Sequence, residues 1–213
     1  MIRQRYGMIL TMFRTATVSL LLVGTSAAPA GDLPSNILWQ LPSGYAVLSS
    51  TTTTVGTRQF QLVALRSRKE LPSERYLTSA DAAPDRPLLI FELRPNSEYL
   101  PVGRNDKVIA TADGAGMAGN GCDPFEDHHI AIKGPYFTIE NGVSCGAHWA
   151  DFITFRFEPR VGKFVFDNER FESRKLNPSN DPNAEALIPE TRRVWRASKG
   201  RLVSFSNWRP PTS

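Results

Sequence analysis

The residues best suited to chemistry lie close together in the second half of the chain. All three histidines of the 213 residues fall between Cys122 and Asp151. Imidazole groups bind zinc when three or four ligands converge on one point. Neighbouring residues on a strand point to opposite faces, so His148 can share a site with only one of His128 and His129. The H-E-x-x-H spacing of helical zinc sites is absent. We therefore expect no metal and no other cofactor, and keep a site built by His148 with His128 or His129 as an alternative.

The carboxylates of the same stretch leave a second alternative, the hydrolysis of cell-wall or glycan material. Such an enzyme needs two carboxylates in one cleft. The candidates are Asp123, Glu126, Asp127 and Asp151. Trp149, Phe152 and Trp195 could line a sugar-binding face, although aromatic residues at this density are typical of a core. The G-x-S-x-G elbow of serine hydrolases is absent. The sequence therefore favours a protein without catalytic residues.

The two cysteines, Cys122 and Cys145, predict a disulfide. They do not form the C-x-x-C pair of a redox-active site. In an oxidising compartment two such thiols pair with each other. Closing a loop of about 24 residues would remove unfolded-state entropy worth roughly 3.4 kcal/mol.

The chain around these residues predicts an all-β fold. Ile153, Phe155 and Phe157 alternate with polar residues, as one buried face of a strand does. Gly, Pro and Asn favour chain reversal, and turns are expected at 133–135, at 141–142 and at 158–162. Short alternating runs between such turns recur along the chain. We predict eight to ten antiparallel strands, forming a meander in a sandwich or a twisted sheet, with little helix.

Further predictions concern the end of the chain. Residues 167–176 are charged and are expected to leave the sheet for the surface, and residues 183–187 to form a helical turn. Residues 191–197 and 202–205 are expected to form a terminal hairpin, with Trp208 folded back onto the body.

The spacing G-x-G-x-x-G within residues 113–121 lacks the helix of a nucleotide site and indicates a linker.

Basic residues surround Trp195 on the expected hairpin. They are Arg192, Arg193, Arg196, Lys199 and Arg201. Such a cluster is either an anionic partner surface or an ordinary solvated flank. Because loops and exposed polar residues of β scaffolds recognise partners, we take six residues as the candidate functional surface. These are Glu126, Asp127, His128, His148, Arg192 and Arg196.

Residues 1–30 predict a secretory signal peptide. Three arginines precede or flank an apolar core at 15–24, and Ala28-Pro29-Ala30 resembles a cleavage site. No cysteine of a lipid-anchored protein follows, and translation could start at Met1, Met8 or Met12. Residues 31–213 are then a single β-rich domain. Without the three arginines, 22 basic residues face 21 acidic ones, which argues against a nucleic-acid partner.

Three blocks of sequence resemble a group of uncharacterised exported proteins of Gram-negative bacteria. They are C-D-P-F-E from Cys122, G-x-Y-F-T from Gly134, and C-G-x-H-W-x-D-F-I-T-F from Cys145. The resemblance implies an extracytoplasmic β-rich protein without an established activity. Broader relatives resemble β-repeat proteins with a calcium loop near the first strands. The corresponding residues, 49–56, contain no carboxylate, so calcium is not expected here.

These observations predict a periplasmic or secreted binding or structural module without catalytic activity, such as an inhibitor or an immunity-type protein. We expect an extracytoplasmic protein as its partner, and no membrane-spanning segment after signal cleavage. The sequence leaves the ligand and the oligomeric state open.

Overall fold

The computed structural model describes residues 33–116, 120–126, 129–179, 181, 183–198 and 200–211. This part of the chain folds into two antiparallel β-sheets with little helix, which confirms the predicted all-β class. The predicted signal peptide lies outside the described residues. None of the helices in the described part has the length and apolarity that crossing a bilayer would require.

Both sheets follow the order of the chain, so each strand pairs with the next one. The four-stranded sheet contains β1 (Tyr45–Val55), β2 (Arg58–Ser67), β3 (Arg86–Leu93) and β4 (Tyr99–Ile109). The five-stranded sheet contains β5 (Ile130–Lys133), β6 (Tyr136–Val143), β7 (His148–Glu158), β8 (Lys163–Leu176) and β9 (Leu187–Arg196). The helical pieces in the described residues are α1 (Ser35–Leu38) and two 3₁₀ turns, Ser73–Leu77 and Phe205–Asn207.

The two sheets share a core built from alternate residues of their facing sides. Phe60 of β2 meets Phe157 and Phe164 of the other sheet, with ring centroids 5.5 and 5.1 Å apart. The predicted alternation of Ile153, Phe155 and Phe157 is confirmed, because all three are buried. We call the side of the five-stranded sheet that carries these residues its inner face, and the opposite side its outer face.

The predicted turn at Asn141-Gly142 is wrong, because both residues lie inside β6. The Asn141 Oδ1 accepts a hydrogen bond from the Ala110 amide at 2.9 Å, and its Nδ2 donates to the Val108 carbonyl at 3.1 Å. A Cβ on residue 142 would lie 2.7 Å from the Trp149 carbonyl oxygen, so glycine permits close approach of β7. The chain reverses after Val143 instead.

The terminal hairpin and the end of the meander also differ from the sequence prediction. Residues 167–176 stay in β8, and β9 begins at Leu187 rather than after a helical turn. β9 pairs with β8 from Asn168 onwards, and Ser204 pairs with Val165 of the same strand. The charged residues are compatible with a strand here because the outer face of β8 is open to water.

The segment after β9 closes the core, and Trp208 is folded back as predicted, with 4% of its surface exposed. Phe205 and Trp208 contact Phe155, with ring centroids 5.1 and 6.0 Å apart. Asn105 of β4 holds this segment in place. Its Nδ2 donates to the carbonyls of Phe205 and Trp208 at 2.6 and 3.1 Å. A buried amide of the four-stranded sheet therefore anchors the C-terminal segment beneath the other sheet.

We expect Asn105→Ala to lower the free energy of unfolding by about 2–4 kcal/mol, because two buried carbonyls lose their donor. Urea denaturation followed by tryptophan fluorescence measures the change. Asn207→Ala, at an exposed position of the same segment, is the matched control and should change stability by less than about 0.5 kcal/mol. Equal effects of the two substitutions would contradict the anchoring role.

Candidate functional site

The predicted disulfide is present, and it joins the start of the five-stranded sheet to the turn after β6. Cys122 and Cys145 are bonded, with their Cα atoms 6.5 Å apart. Both cysteines contribute to the wall of a groove of about 610 Å³. The same groove is lined by Glu126, His129 and Glu140. The disulfide therefore shapes the region where most of the predicted site residues lie.

Asp123, a candidate for hydrolysis, is bound instead to the buried guanidinium of Arg86. Its two carboxylate oxygens each lie 2.6 Å from an Arg86 nitrogen. Glu70 accepts from the other side of the guanidinium, at 3.0 and 2.7 Å, and only 1% of Arg86 is exposed. Burial opposes the charged form, but the hydrogen bonds that Arg86 donates to Asp123 and Glu70 outweigh it and raise the pKa of Arg86. Asp123 is thus engaged in a structural ion triad.

The exposed edge of the groove carries a histidine paired with a carboxylate. His129 Nδ1 lies 2.6 Å from Glu140 Oε2, and 58% of the His129 side chain is exposed. Glu126 is exposed on the same groove. The candidates Asp127 and His128 lie outside the described residues. Glu126 is therefore the residue of the predicted surface that the structure places on this edge of the groove, which we call the rim.

His148 does not join this rim. His148 is the first residue of β7. Phe152, four residues further along the same strand, is the residue opposite Glu140. Four residues of strand span about 13 Å, so His148 and His129 lie far apart. Among the described residues, no three histidine, cysteine or acidic side chains are grouped as metal ligands would be. A site combining His148 with His128 falls outside the described part.

The three aromatic residues predicted for a sugar-binding face are divided between the two sides of the sheet. Trp149 lies on the inner face, because it alternates with the buried Ile153. Trp195 is opposite Glu169, which is itself opposite Ile153, so it shares that inner face. Phe152 lies on the outer face, where the guanidinium carbon of Arg170 sits 4.6 Å from its ring centroid. The three residues therefore do not form the common face that the hydrolase alternative would need.

Asp151, another candidate carboxylate, lies near an acidic residue that was not predicted from the sequence. Asp151 and Glu169 both lie on the inner face of the sheet. Asp151 is opposite Phe171, which is two residues along β8 from Glu169. Burial raises the pKa of Asp151 to about 7. Burial, together with the charge of Asp151, raises the pKa of Glu169 to about 7. Glu169 stands in an ordinary charged run, so nothing in the local sequence distinguished it.

An arginine-lined groove of about 690 Å³ lies on the outer face, between β7, β8, β9 and the segment that follows β9. We call it the arginine groove. The charged residues lining it are Arg156, Asp167, Arg170, Arg192, Arg196 and Arg201. Strand alternation places Arg192 and Arg196 here and turns Arg193 to the inner face, so the predicted cluster is split. Arg156 and Arg170, which come from neighbouring strands, were not predicted from the sequence.

The acidic residues near the arginine groove balance only part of its charge. Arg156 is paired with Glu158 at 2.6 Å and with Asp167 at 3.4 Å. Arg170 and Arg192 share Glu172, at 3.5 and 3.4 Å. Arg196 and Arg201 are exposed and form no ion pair with the described residues. Five arginines thus face three carboxylates, which leaves a net charge of +2.

Comparisons of this chain with models of protein families, with curated proteins and with solved structures found no match. The resemblance carried by the Cys122, Gly134 and Cys145 blocks therefore stays a prediction.

We expect Arg86→Met to destabilise the protein by about 3–5 kcal/mol, because it leaves Glu70 and Asp123 without their buried counter-charge. The shift of the urea midpoint measures the effect. Arg104→Met breaks an exposed pair with Asp106 and should cost less than about 1 kcal/mol. A loss no larger than that of the control would show that the buried triad contributes little.

The Asp151 and Glu169 pair predicts a specific dependence of stability on pH. Their pKa values are higher in the folded than in the unfolded chain, so the folded state binds more protons between about pH 4 and about pH 7. The stabilisation that comes from these extra protons is complete below that pH range, and it is lost as the pH rises through the range. We expect Asp151→Asn to gain roughly 2–4 kcal/mol relative to the parent protein between those limits.

Urea unfolding at about pH 5 and about pH 8 measures this difference. Glu190→Gln, an exposed carboxylate of β9, is the control and should follow the parent protein at both pH values. A parallel pH profile for Asp151→Asn and the parent would contradict the raised pKa values.

Proposed function

We propose that this protein is an exported, non-catalytic binding module that recognises an acidic extracytoplasmic protein through the arginine groove. The observation that carries the proposal is the convergence of five arginines from β7, β8, β9 and the following segment on one groove. A guanidinium group offers a planar fork of donors that matches a carboxylate, and it is favoured at protein interfaces. The groove therefore has the chemistry to bind carboxylates on a partner.

The apolar residues of the groove favour a protein partner. Val194 and Leu202 line it together with the arginines, and they are 47% and 48% exposed. Exposed aliphatic side chains between arginines are typical of protein interfaces, whose cores are depleted of acidic residues and enriched in arginine. β9 is also the edge strand of its sheet, where a partner could add main-chain hydrogen bonds.

The positions of the carboxylates support the non-catalytic part of the proposal. Asp123 is held by Arg86, and Asp151 is not among the residues that line the groove of Glu126. A hydrolytic carboxylate has to reach a substrate and a water molecule. Glu126 is exposed on a groove that Asp123 also lines, but both carboxylate oxygens of Asp123 are bound to Arg86. Two of the candidates therefore share one groove among the described residues, and one of these two is committed to the ion triad.

The export of the protein rests on two supports. Residues 1–30 have the composition of a signal peptide. The Cys122 to Cys145 disulfide fits an oxidising compartment, because thiols are kept reduced in the cytosol. An exported module with a net positive groove would meet acidic proteins outside the cytoplasm.

Titration with fluorescent poly-glutamate tests the groove at low and at physiological salt. We expect Arg196→Ser with Arg201→Ser to weaken binding about tenfold or more, since two unpaired charges are lost. Binding of the parent protein should also weaken as salt rises. Arg66→Ser with Arg75→Ser removes the same charge from exposed positions elsewhere and should leave the affinity unchanged.

An equal loss in the two double variants would mean that net charge, and not the groove, attracts the acidic chain. Tighter binding of a sulfated glycan than of poly-glutamate would contradict the protein partner and assign the groove to a polysaccharide.

A further inference from the structure

The inner face of the five-stranded sheet carries acidic and aromatic residues beyond the end of the core. Trp149 and Asp151 continue the alternation of Ile153 along β7. Phe171 is opposite Asp151, and Glu169 is opposite both Ile153 and Trp195. Residues opposite each other in an antiparallel pair have Cβ atoms about 5 Å apart and share a face. We call this set, Trp149, Asp151, Glu169, Phe171 and Trp195, the acid–aromatic face.

The aromatic part of this face is accessible to a ligand. The Trp149 and Phe171 rings stack with centroids 6.0 Å apart, and both residues are only partly buried. Trp195 is also partly exposed, and none of the residues of β9, all of which the structure describes, is buried. The core cluster shared by the two sheets includes Ile153 but none of the five residues of the acid–aromatic face.

The acidic part of this face has buried oxygens without a hydrogen-bond partner. Glu169 is 5% exposed, and its Oε2 has no partner among the described residues. The same holds for Asp151 Oδ1. A buried carboxylate oxygen that lacks a donor is unfavourable by an amount comparable to a lost hydrogen bond, and more when it is charged. A ligand that brings positive charge beside the two carboxyl groups would offset that cost.

The surrounding elements of the described structure do not supply this cation. On β6, Asn141 is opposite Asp151, but its amide is bound to Ala110 and Val108. On β8, Arg170 points to the outer face, over Phe152. On β9, Arg193 is opposite Phe171 and shares the inner face, yet it forms no ion pair with the described carboxylates.

We propose that the acid–aromatic face is a binding site for an organic ammonium ion. The ammonium group would lie beside the carboxyl groups of Asp151 and Glu169, and its alkyl part would lie against Trp149, Phe171 and Trp195. Aromatic faces attract cations through their negative electrostatic potential, most strongly for tryptophan. A metal ion fits less well, because two carboxylates and three aromatic rings offer too few ligand atoms. The site lies on the opposite side of the sheet from the arginine groove and does not depend on it.

Protonation of the two acids predicts how binding changes with pH. Burial raises the pKa of Asp151 and Glu169 to about 7, so at neutral pH each carboxyl is partly protonated. An ammonium ion binds the charged carboxylates, so its binding must release protons. Affinity should therefore rise as the pH increases through 7, while binding driven by apolar contact alone would not change.

Titration of the intact mature protein with n-butylammonium chloride tests the site, with calorimetry and tryptophan fluorescence as readouts. We expect saturable binding at about pH 8 and an affinity about tenfold lower at about pH 6, where both carboxyls are largely protonated. The neutral n-butanol, of nearly the same shape, should show no saturable binding. Equal binding of the alcohol and the ammonium ion, or no saturable binding of the ion, would overturn the proposal.

Substitutions then locate the site. Glu169→Gln and Asp151→Asn should each lower the affinity about tenfold or more, and Trp195→Leu should lower it several-fold. Glu74→Gln, at an exposed position of the 3₁₀ turn Ser73–Leu77, is the control and should bind as the parent does. Trp195 is only partly buried, so its substitution keeps the test valid should a carboxyl variant fail to fold.

Arg193→Ala decides whether the protein fills the site with its own side chain. Unchanged binding supports the proposal. Binding that appears only in this variant would overturn it, because Arg193 would then be the cation of this face.

Discussion

The buried ion triad centred on Arg86 is the constraint on which the arrangement of the two sheets depends. A guanidinium group that is 1% exposed must have its charge and its donors satisfied, or burying it would be prohibitively unfavourable. Glu70 precedes the 3₁₀ turn, Arg86 begins β3, and Asp123 lies in the link to the second sheet. One side chain thus fixes three distant segments, and the neighbouring Cys122 extends the connection through the disulfide to Cys145.

This anchor explains why the candidate carboxylates have different roles. Asp123 lies beside the disulfide and close to the groove of His129, but its oxygens are committed to Arg86. Asp151 and Glu169 stand farther along the second sheet, where no buried arginine meets them among the described residues, and burial raises their pKa values. Chemically identical groups therefore stabilise the fold in one place and remain available to a ligand in another.

Strand alternation divides the surface chemistry of the second sheet into two sites. On β8, Glu169 and Phe171 point inwards while Arg170 and Glu172 point outwards. On β9, Arg193 and Trp195 point inwards while Arg192, Val194 and Arg196 point outwards. A stretch that carries mixed charge in the sequence becomes a basic groove on one face and an acid–aromatic surface on the other. A single sheet that extends past its core can thus offer opposite electrostatic surfaces.

The sequence by itself determined the features that depend on neighbouring residues. Period-two alternation at Ile153, Phe155 and Phe157 predicted the strands and their buried face, and the cysteine pair predicted the disulfide. Interactions between distant residues were decided only by the tertiary structure. Asn141-Gly142 has the local signature of a turn, but bonds to β4 and close contact with β7 keep it in a strand. Strand register, which no short stretch of sequence encodes, decides that Asp151 lies near Glu169 and that arginines from three strands share one groove. The contact of Asp123 with Arg86 likewise joins residues that are far apart in the chain.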